Sequence, residues 1–242
     1  MPRVAIITGA SQGLGLALAK SLYAEGWGIV IDARNATRLD AAVVEITGHG
    51  GQGQGHTVQG RTSAALVALA GDITDRAHRD AIIERAHALG PVQLIVNNAS
   101  TLGASPLPAL DELRDETLRR VLEVNVIAPL ALVQMLASDL QPGATIVNIT
   151  SDAAVEPYPG WGAYGAAKAA LEHAGRILAA EHPEWRVLIV DPGDMRTEMH
   201  QDAFPGEDIS DRPPPEDSVP GLMALIAGNQ SSGRYHAREV SR

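Results

Sequence analysis

Hydrophobic residues along the chain fall into short runs rich in Val, Ile and Leu, separated by longer segments rich in Ala and Leu. The short runs predict strands at 4–8, 29–32, 65–70, 92–98, 145–150 and 186–191. Apolar residues fill these runs almost continuously, which is typical of strands buried on both faces of a parallel sheet.

The longer segments predict helices that alternate with the strands. They cover 14–25, 36–46, 75–89, 112–138 and 161–181, followed by a short helix near 216–228 and an edge strand in the "GRYHAREV" tail. Repeated strand–helix order indicates an α/β fold, a doubly wound parallel sheet with helices on both faces. We expect one domain spanning residues 1–242.

The segment 47–60, "TGHGGQGQGHTVQG", interrupts this pattern. Its Gly and Gln residues bury little surface, so it predicts a flexible surface loop, with a lid or contact role as the alternative. No carboxylate or cysteine lies at ligand spacing from His49 or His56, and we expect no metal.

Composition narrows the possible partners and compartment. A net charge of −10 argues against nucleic acid, and no apolar run approaches the roughly 18–20 residues needed to span a membrane. The chain has no cysteine, which excludes disulfides and thiolate chemistry. Because "MPRVAIITGA" begins directly with a predicted strand and has no signal-peptide pattern, we expect a cytoplasmic protein.

"TGASQGLG" at 8–15 joins the first predicted strand to the first helix. A glycine-rich turn there predicts a dinucleotide site, because the helix N-terminus offers free N–H groups to phosphates. The phosphate-binding residues predicted from this loop are Gly9, Ser11, Gln12, Gly13, Leu14 and Gly15. Their spacing, G-x-x-x-G-x-G, differs from the G-x-G-x-x-G of the usual Rossmann fingerprint.

Tyr164 and Lys168 lie one helical turn apart and therefore share a face. A nearby ammonium should lower the pKa of the phenol and make it a usable proton donor or acceptor. Together with the glycine spacing, this Tyr-x-x-x-Lys motif resembles the short-chain dehydrogenase/reductase family. The resemblance implies a single Rossmann domain and an NAD(P)-dependent enzyme.

The resemblance also implies a catalytic set of Asn125, Ser151, Tyr164 and Lys168. Ser151 ends a predicted strand 13 residues before Tyr164 and would steady the substrate oxygen. Asn125, in an otherwise apolar helix, would hold a proton-relay water near Lys168. Taken alone, a buried Asn is equally well a structural hydrogen-bonding group.

Further cofactor contacts follow from the same resemblance. Asp72 would bind the adenine and Ile73 would pack on it. "NNAS" (97–100) matches the family's NNAG segment, with Asn97 and Ala99 as cofactor residues and Ser100 in place of glycine. In "DPGDMRT", Pro192 and Gly193 would lie beside the nicotinamide, with Thr197 near its carboxamide or phosphate; Tyr164 and Lys168 would also contact the cofactor.

The residues after the second strand bear on cofactor choice. Asp32 is 17 residues beyond Gly15, close to where an acid binds the free ribose of NAD. The family's NAD-selecting position is one residue later, at Ala33, and Arg34 follows where NADP-dependent members carry a basic group. Guanidinium pairs well with phosphate, so the pattern favours NADP, with NAD as the alternative.

We therefore expect an NADP(H)-dependent enzyme that interconverts a carbonyl and an alcohol on a small or medium neutral substrate. A catalytically idle cofactor-binding sensor or scaffold is the alternative from another class. Segment 198–215, acidic and proline-rich, occupies the family's substrate-loop position, and Met199, Phe204, Trp161 and Tyr158 are candidate apolar contacts. Family members commonly pair through the 112–138 and 161–181 helices, which implies a homodimer or homotetramer.

Overall fold

A computed structural model describes residues 3–48, 57–59 and 64–240, and it contains one eight-stranded sheet in the order β3-β4-β2-β1-β5-β6-β7-β8. The strands are β1 (Val4–Ile7), β2 (Gly28–Ala33), β3 (Thr57–Gln59), β4 (Ala65–Ala70), β5 (Val92–Asn97), β6 (Thr145–Ile149), β7 (Arg186–Asp191) and β8 (Gly233–His236). All pair in parallel except β3, which runs antiparallel to β4.

Helices cover both faces of the sheet. They are α1 (Gly13–Ala24), α2 (Ala36–Thr47), α3 (Arg76–Leu89), α4 (Asp115–Leu122), α5 (Ala128–Leu136), α6 (Gly162–Glu181), α7 (Glu198–Ala203) and α8 (Val219–Ala227). In β1, Ala5 and Ile7 pack into a core with α1, α2 and α8, whereas Val4 and Ile6 pack against α3 and α5 on the opposite face. Side chains on a strand alternate between faces, so two buried faces explain why the strand sequences are continuously apolar. The predicted doubly wound fold is confirmed.

The predicted 112–138 helix is interrupted. α4 and α5 are joined by one turn of π-helix, Glu123–Ile127. Pro129 has no N–H to donate to the carbonyl four residues earlier, at Asn125, and proline disturbs an α-helical ladder in this way. Asn125, a residue predicted for the catalytic set, lies within this π turn. Single turns of π-helix are common at functional sites.

The predicted loop at 47–60 is corrected in part. α2 continues to Thr47 and ends at Gly48 in the left-handed conformation, while Thr57–Gln59 forms the edge strand β3. The sequence prediction missed β3 because a three-residue strand has too little pattern to be recognised. The remainder of the predicted flexible loop lies outside the described residues.

The order of strands reverses between β1 and β5. β1 pairs with β2 on one side and with β5 on the other. In open α/β sheets a crevice forms at such a point, beyond the carboxyl ends of the strands. No helix among the described residues is long and apolar enough to cross a membrane.

Candidate active site

A cavity of about 1210 Å³ opens at this crevice. It extends from the glycine-rich turn to α7 and brings together most of the residues predicted for the site. These are Gly9, Ser11, Gln12, Gly13, Leu14, Arg34, Asp72, Ile73, Ala99, Ser151, Tyr164, Lys168, Pro192, Gly193 and Thr197. Gly15, Asn97 and Asn125 lie outside its lining.

The glycine turn is held against the end of β5. The Thr8 hydroxyl accepts hydrogen bonds from the N–H groups of Asn98 and Ala99, and the Asn98 amide donates to the carbonyls of Thr8 and Gly9. A Cβ on Gly9, whose φ is +66°, would come within 2.7 Å of Ala99. Only glycine therefore fits this turn.

The N-terminus of α1 remains available to a ligand. Gln12 precedes the helix and its side chain makes no capping hydrogen bond, and the first turn contains no acidic residue. The free N–H groups and the positive end of the helix dipole suit the pyrophosphate of a dinucleotide. The geometry of this end of the cavity therefore fits NAD(P).

Asp32 is buried beneath the glycine turn. Its Oδ1 accepts the Gly9 N–H at 2.9 Å, and its Oδ2 lies 3.2 Å from His78 Nε2. The Asp32 carboxylate thus stabilises the glycine turn through its hydrogen bond with Gly9. Arg34, two residues further, is exposed at the cavity and makes no ion pair with any side chain that the structure describes.

Arg38, which the sequence analysis did not single out, also lies at this end of the cavity. Its guanidinium donates to Gln12 Oε1 at 2.8 Å and to Glu198 Oε1 at 3.0 Å. The hydrogen bond from Arg38 lowers the pKa of Glu198. Arg38 therefore links the glycine turn to the first residue of α7.

Asp72 is engaged from the side of α4. Arg120 Nη2 donates to Asp72 Oδ2 at 2.6 Å, and Thr74 donates to Oδ1 through its N–H and its hydroxyl. Partial burial acts to raise the pKa of Asp72, but these hydrogen bonds outweigh it and bring the pKa to about 2. Arg120 was not foreseen, because it is 48 residues away along the chain.

Tyr164 and Lys168 lie side by side at the base of the cavity, with the Lys168 Nζ 5.4 Å from the centre of the Tyr164 ring. Burial lowers the pKa of Lys168 to about 8, and its Nζ donates to the Ile149 carbonyl at 2.8 Å. The expected lowering of the Tyr164 pKa is not found. Burial of the phenol raises its pKa, the carboxylates of Asp191 and Asp152 raise it further, and the hydroxyls of Ser151 and Ser100 oppose the rise.

Ser151 directly follows β6 and begins a short 3₁₀ turn. Its hydroxyl accepts the Ala153 N–H and donates to Asp152 Oδ1 at 2.8 Å. Asp152 Oδ2 in turn accepts the hydroxyl of Tyr158 at 3.0 Å. A carboxylate thus stands beside the serine that the sequence assigned to the substrate oxygen.

The Asn125 side chain is buried and is hydrogen-bonded to the backbone of one residue, Thr101. Its Oδ1 accepts the Thr101 N–H at 2.9 Å and its Nδ2 donates to the Thr101 carbonyl at 3.0 Å. Asn97 is also buried, and its Nδ2 donates to Asn148 at 2.8 Å. The neighbouring Asn98, rather than Asn97, lines the cavity.

Aromatic and apolar side chains form the wall nearest α7. Trp161 stands edge-on to Tyr164 with ring centres 5.5 Å apart, and Phe204 lies 6.0 Å from Trp161. Met199 and Leu102 pack in the same cluster. The four candidate contacts from the sequence, Met199, Phe204, Trp161 and Tyr158, all line the cavity.

An ion-pair network lies behind the catalytic end. The Arg234 guanidinium, from β8, donates to Glu172 Oε1 on α6 and to Asp191 Oδ2 at the end of β7, both at 3.0 Å. Both carboxylates are buried. The network fixes the ends of β7 and β8 relative to α6, which carries Tyr164, and it places the Asp191 carboxylate where it influences the phenol.

Comparisons with known proteins identify the family of this chain. The family model for short chain dehydrogenases matches residues 3–208. The chain belongs to the short-chain dehydrogenase family. This short-chain dehydrogenase is similar to a benzil reductase, (S)-benzoin forming, from Saccharomyces cerevisiae, with 30% identity over 84% of this chain and 75% of the relative. It is 29% identical to an L-xylulose reductase from Caenorhabditis elegans, over 93% of this chain and 89% of that one.

Solved structures give the same result. A short chain dehydrogenase from Shigella flexneri complexed with NADP superposes with a TM-score of 0.84 and 25% identity, covering 98% of this chain and 97% of the other. The short-chain dehydrogenase described here is therefore an NAD(P)-dependent oxidoreductase. Among its described residues no three metal-ligating side chains come together, and the expected absence of a metal stays a prediction.

Proposed function

We propose that this short-chain dehydrogenase is an NADP(H)-dependent carbonyl reductase, with Asn125, Ser151, Tyr164 and Lys168 as its catalytic set. The observation that carries the proposal is the single cavity in which the glycine turn and the Tyr164–Lys168 pair meet. Such a cavity lets a dinucleotide reach from the N-terminus of α1 to the phenol. When bound, the cofactor supplies or accepts the hydride.

The proton is handled by Tyr164. Burial and two carboxylates keep its pKa above the usual value, so the phenol is protonated at neutral pH. A protonated phenol is a proton donor, and reduction of a carbonyl requires a proton on the oxygen. Protonated Tyr164 is therefore the group that we propose as the proton donor in carbonyl reduction.

The neighbouring groups support this transfer. The Ser151 hydroxyl lies where it can hydrogen-bond the substrate oxygen as negative charge develops. Lys168, held by the Ile149 carbonyl, places a positive charge against the phenol ring and would bind the nicotinamide ribose. Asn125 fixes the Thr101 backbone, and we assign the proton-relay water to the π turn that contains it.

NADP rather than NAD is proposed on the charges at the adenine-ribose end. Arg34 is exposed at the cavity without an ion-pair partner in the described chain, and Arg38 lies nearby. Asp32, which would have to bind the ribose of NAD, is occupied by Gly9 and His78. NAD remains the alternative cofactor.

The substrate is proposed to be a small or medium neutral carbonyl compound with an apolar or aromatic body. Trp161, Phe204 and Met199 offer apolar surface, and the carboxylates of Asp152 and Asp194 at the same end disfavour anions. We further propose a cytoplasmic homo-oligomer. The idle sensor is the second candidate function, and it predicts cofactor binding without turnover.

The experiment that tests the function uses Tyr164→Phe with Tyr23→Phe as its matched control. Tyr23 lies on α1 outside the cavity lining, and its hydroxyl has no hydrogen-bond partner among the described residues. We expect NADPH to bind both variants as it binds the parent protein. Reduction of benzil should fall by at least 10²-fold in Tyr164→Phe only, since general acid catalysis contributes about 10²–10⁴-fold.

Two other results would contradict the proposal. NADPH binding without turnover of benzil or any other carbonyl by the parent protein would favour the sensor. Undiminished turnover by Tyr164→Phe would show that another group supplies the proton.

A further inference from the structure

Arg234, in β8, contacts three segments that form the catalytic end of the cavity. Its Nε donates to Glu172 Oε1 on α6, and its Nη2 donates to Asp191 Oδ2 at the end of β7, both at 3.0 Å. The same Nη2 donates to the backbone carbonyl of Ser151 at 3.3 Å. Arg234 does not itself line the cavity, so it acts on the reacting groups through these three residues.

The two carboxylates that bind Arg234 also hold neighbouring parts of the site. Glu172 Oε1 accepts the Thr150 hydroxyl at 2.8 Å, which adds a second contact beyond the end of β6. Asp191 Oδ1 accepts the Gly193 N–H at 2.9 Å and so fixes the turn that follows β7. The guanidinium is therefore the centre of a network that joins the ends of β6 and β7 to α6, the helix that carries Tyr164.

This network contains charges that are costly to bury unless they are paired. Glu172 and Asp191 are 4% and 3% exposed. Arg176 binds the other oxygen of Glu172 from the surface at 3.2 Å, and His236 Nδ1 lies 3.6 Å from Asp191 Oδ2. Removal of one partner from a buried ion pair is strongly destabilising. A guanidinium suits this position because its planar set of donors serves several oxygens in a fixed geometry, which an ammonium does not.

We propose that Arg234 is a positioning residue that fixes the relative positions of Ser151, Tyr164 and the Pro192–Gly193 turn, which is predicted to lie beside the nicotinamide. This inference rests on the proposed function. The reacting groups come from three separate segments, and a misplacement of about 1 Å can lower a rate by about 10²-fold. Because one rigid group holds all three segments, Arg234 acts on the chemical step and not on the phosphate end of the cavity.

The test measures kcat and KM for benzil reduction with NADPH, the Kd of NADPH by fluorescence titration, and the melting temperature. The variants are Arg234→Met and Arg234→Lys, with Arg186→Met as the matched control. Arg186 is also partly buried, and its guanidinium donates to the carbonyls of Leu225 and Gly228. It lies at the opposite end of β7 from Asp191 and outside the cavity lining.

We expect Arg234→Met and Arg186→Met both to melt below the parent temperature, because each leaves buried acceptors without their donor. kcat should fall by about tenfold or more in Arg234→Met and stay within about twofold of the parent in Arg186→Met. KM and the Kd of NADPH should change by less than about threefold in both variants, since an interaction that acts only on the chemical step leaves binding unchanged. Arg234→Lys should melt above Arg234→Met and still lose about fivefold in kcat, because its ammonium lacks the planar fork.

Three outcomes would overturn the inference. A parent kcat in either Arg234 variant would show that the network serves stability alone or that a positive charge suffices; if Arg234→Met does not fold, Arg234→Lys decides. An equal fall of kcat in Arg234→Met and Arg186→Met would show that lost stability lowers the rate. A parent protein that binds NADPH and reduces no carbonyl would overturn the proposed function and this inference with it, whereas the first two outcomes leave the proposed function standing.

Discussion

Lys168 carries its charge into one of the most deeply buried positions in the chain, with only 2% of its surface exposed. Burial disfavours an ammonium, and the pKa of about 8 expresses that cost. The difference from the usual value of 10.5 corresponds to about 3 kcal/mol in favour of the unfolded state at neutral pH. The buried Lys168 ammonium therefore destabilises the folded state while it places a positive charge beside the Tyr164 phenol.

Replacing Lys168 with Met should therefore stabilise the fold at pH 7, by roughly 1–3 kcal/mol after loss of the hydrogen bond to Ile149. The gain should shrink as pH rises from about 8 toward 10.5, because in this range the folded parent protein has already lost the proton while the unfolded chain still holds it. Urea unfolding followed by tryptophan fluorescence between pH 7 and 9.5 measures this difference.

Lys20 is the only other lysine of the chain, and Lys20→Met is the control. It is exposed and paired with Glu45 on the surface, so its variant should change the stability little at any of these pH values. A Lys168→Met variant that is less stable than the parent at pH 7 would show that the ammonium is well paired rather than strained by burial.

At the scale of secondary-structure elements, α2 contacts α7 across the glycine-turn end of the cavity. Arg38 in α2 and Glu198 in α7 form an ion pair, and Gln12 from the glycine turn joins it. Because both side chains are about half exposed, the pair contributes little to stability. Its importance is local: a carboxylate lies next to the guanidinium groups proposed to receive the 2′-phosphate of NADP.

Glu198→Gln should tighten NADPH binding about threefold and leave NADH binding unchanged, because the competing negative charge is removed from Arg38. Arg34→Ala should act in the opposite direction and weaken NADPH binding by about tenfold or more, again with little effect on NADH. Fluorescence titration with each cofactor measures both variants. Equal changes for NADPH and NADH would indicate that Glu198 acts on the position of α7 and not on the phosphate.

On the scale of the whole molecule, the outer surfaces of α6 and of the π turn before α5 expose apolar side chains. Ile127 and Ile177 are 50% and 46% exposed. α4 and the π turn pack against α6 within the chain, so one broad helical surface carries both residues. We propose this surface as the contact between copies.

The parent protein should sediment as a dimer or tetramer at micromolar concentration. Changing Ile127 and Ile177 together to Lys should convert it to a monomer, because buried charges at such an interface are costly. Val44→Lys is the control, since Val44 is equally exposed but lies on α2. A monomeric parent protein, or an unchanged oligomer in the double variant, would exclude this contact.

The features that could be predicted from sequence are set by residues that lie close together along the chain. Apolar periodicity predicts six of the strands and the main helices. The glycine turn is predictable because glycine is the residue that most readily adopts a positive φ. Tyr164 and Lys168 share a face because helical spacing requires it. The long helix around Asn125 was predicted as continuous, and its π turn was missed although Pro129 was a usable signal.

The parts that were not predictable depend on residues far apart in sequence. Arg38 and Glu198 are separated by 160 residues, and Arg234 and Ser151 by 83. No periodicity carries such information, because these pairs are brought together by the order of the strands. Arg120 and Arg234 come to the site in this way.

Tyr164 shows the division most clearly. Its place beside Lys168 was a consequence of local helical geometry, and spacing alone indicated a lowered pKa. In the folded chain the Tyr164 pKa is raised instead, because the phenol is buried and the Asp191 carboxylate at the end of β7 lies near it. The identity and spacing of chemical groups are properties of the sequence. The burial of a group and the charges nearest to it arise only when distant segments pack together. Burial and nearby charges set the protonation state of Tyr164, on which the reaction depends.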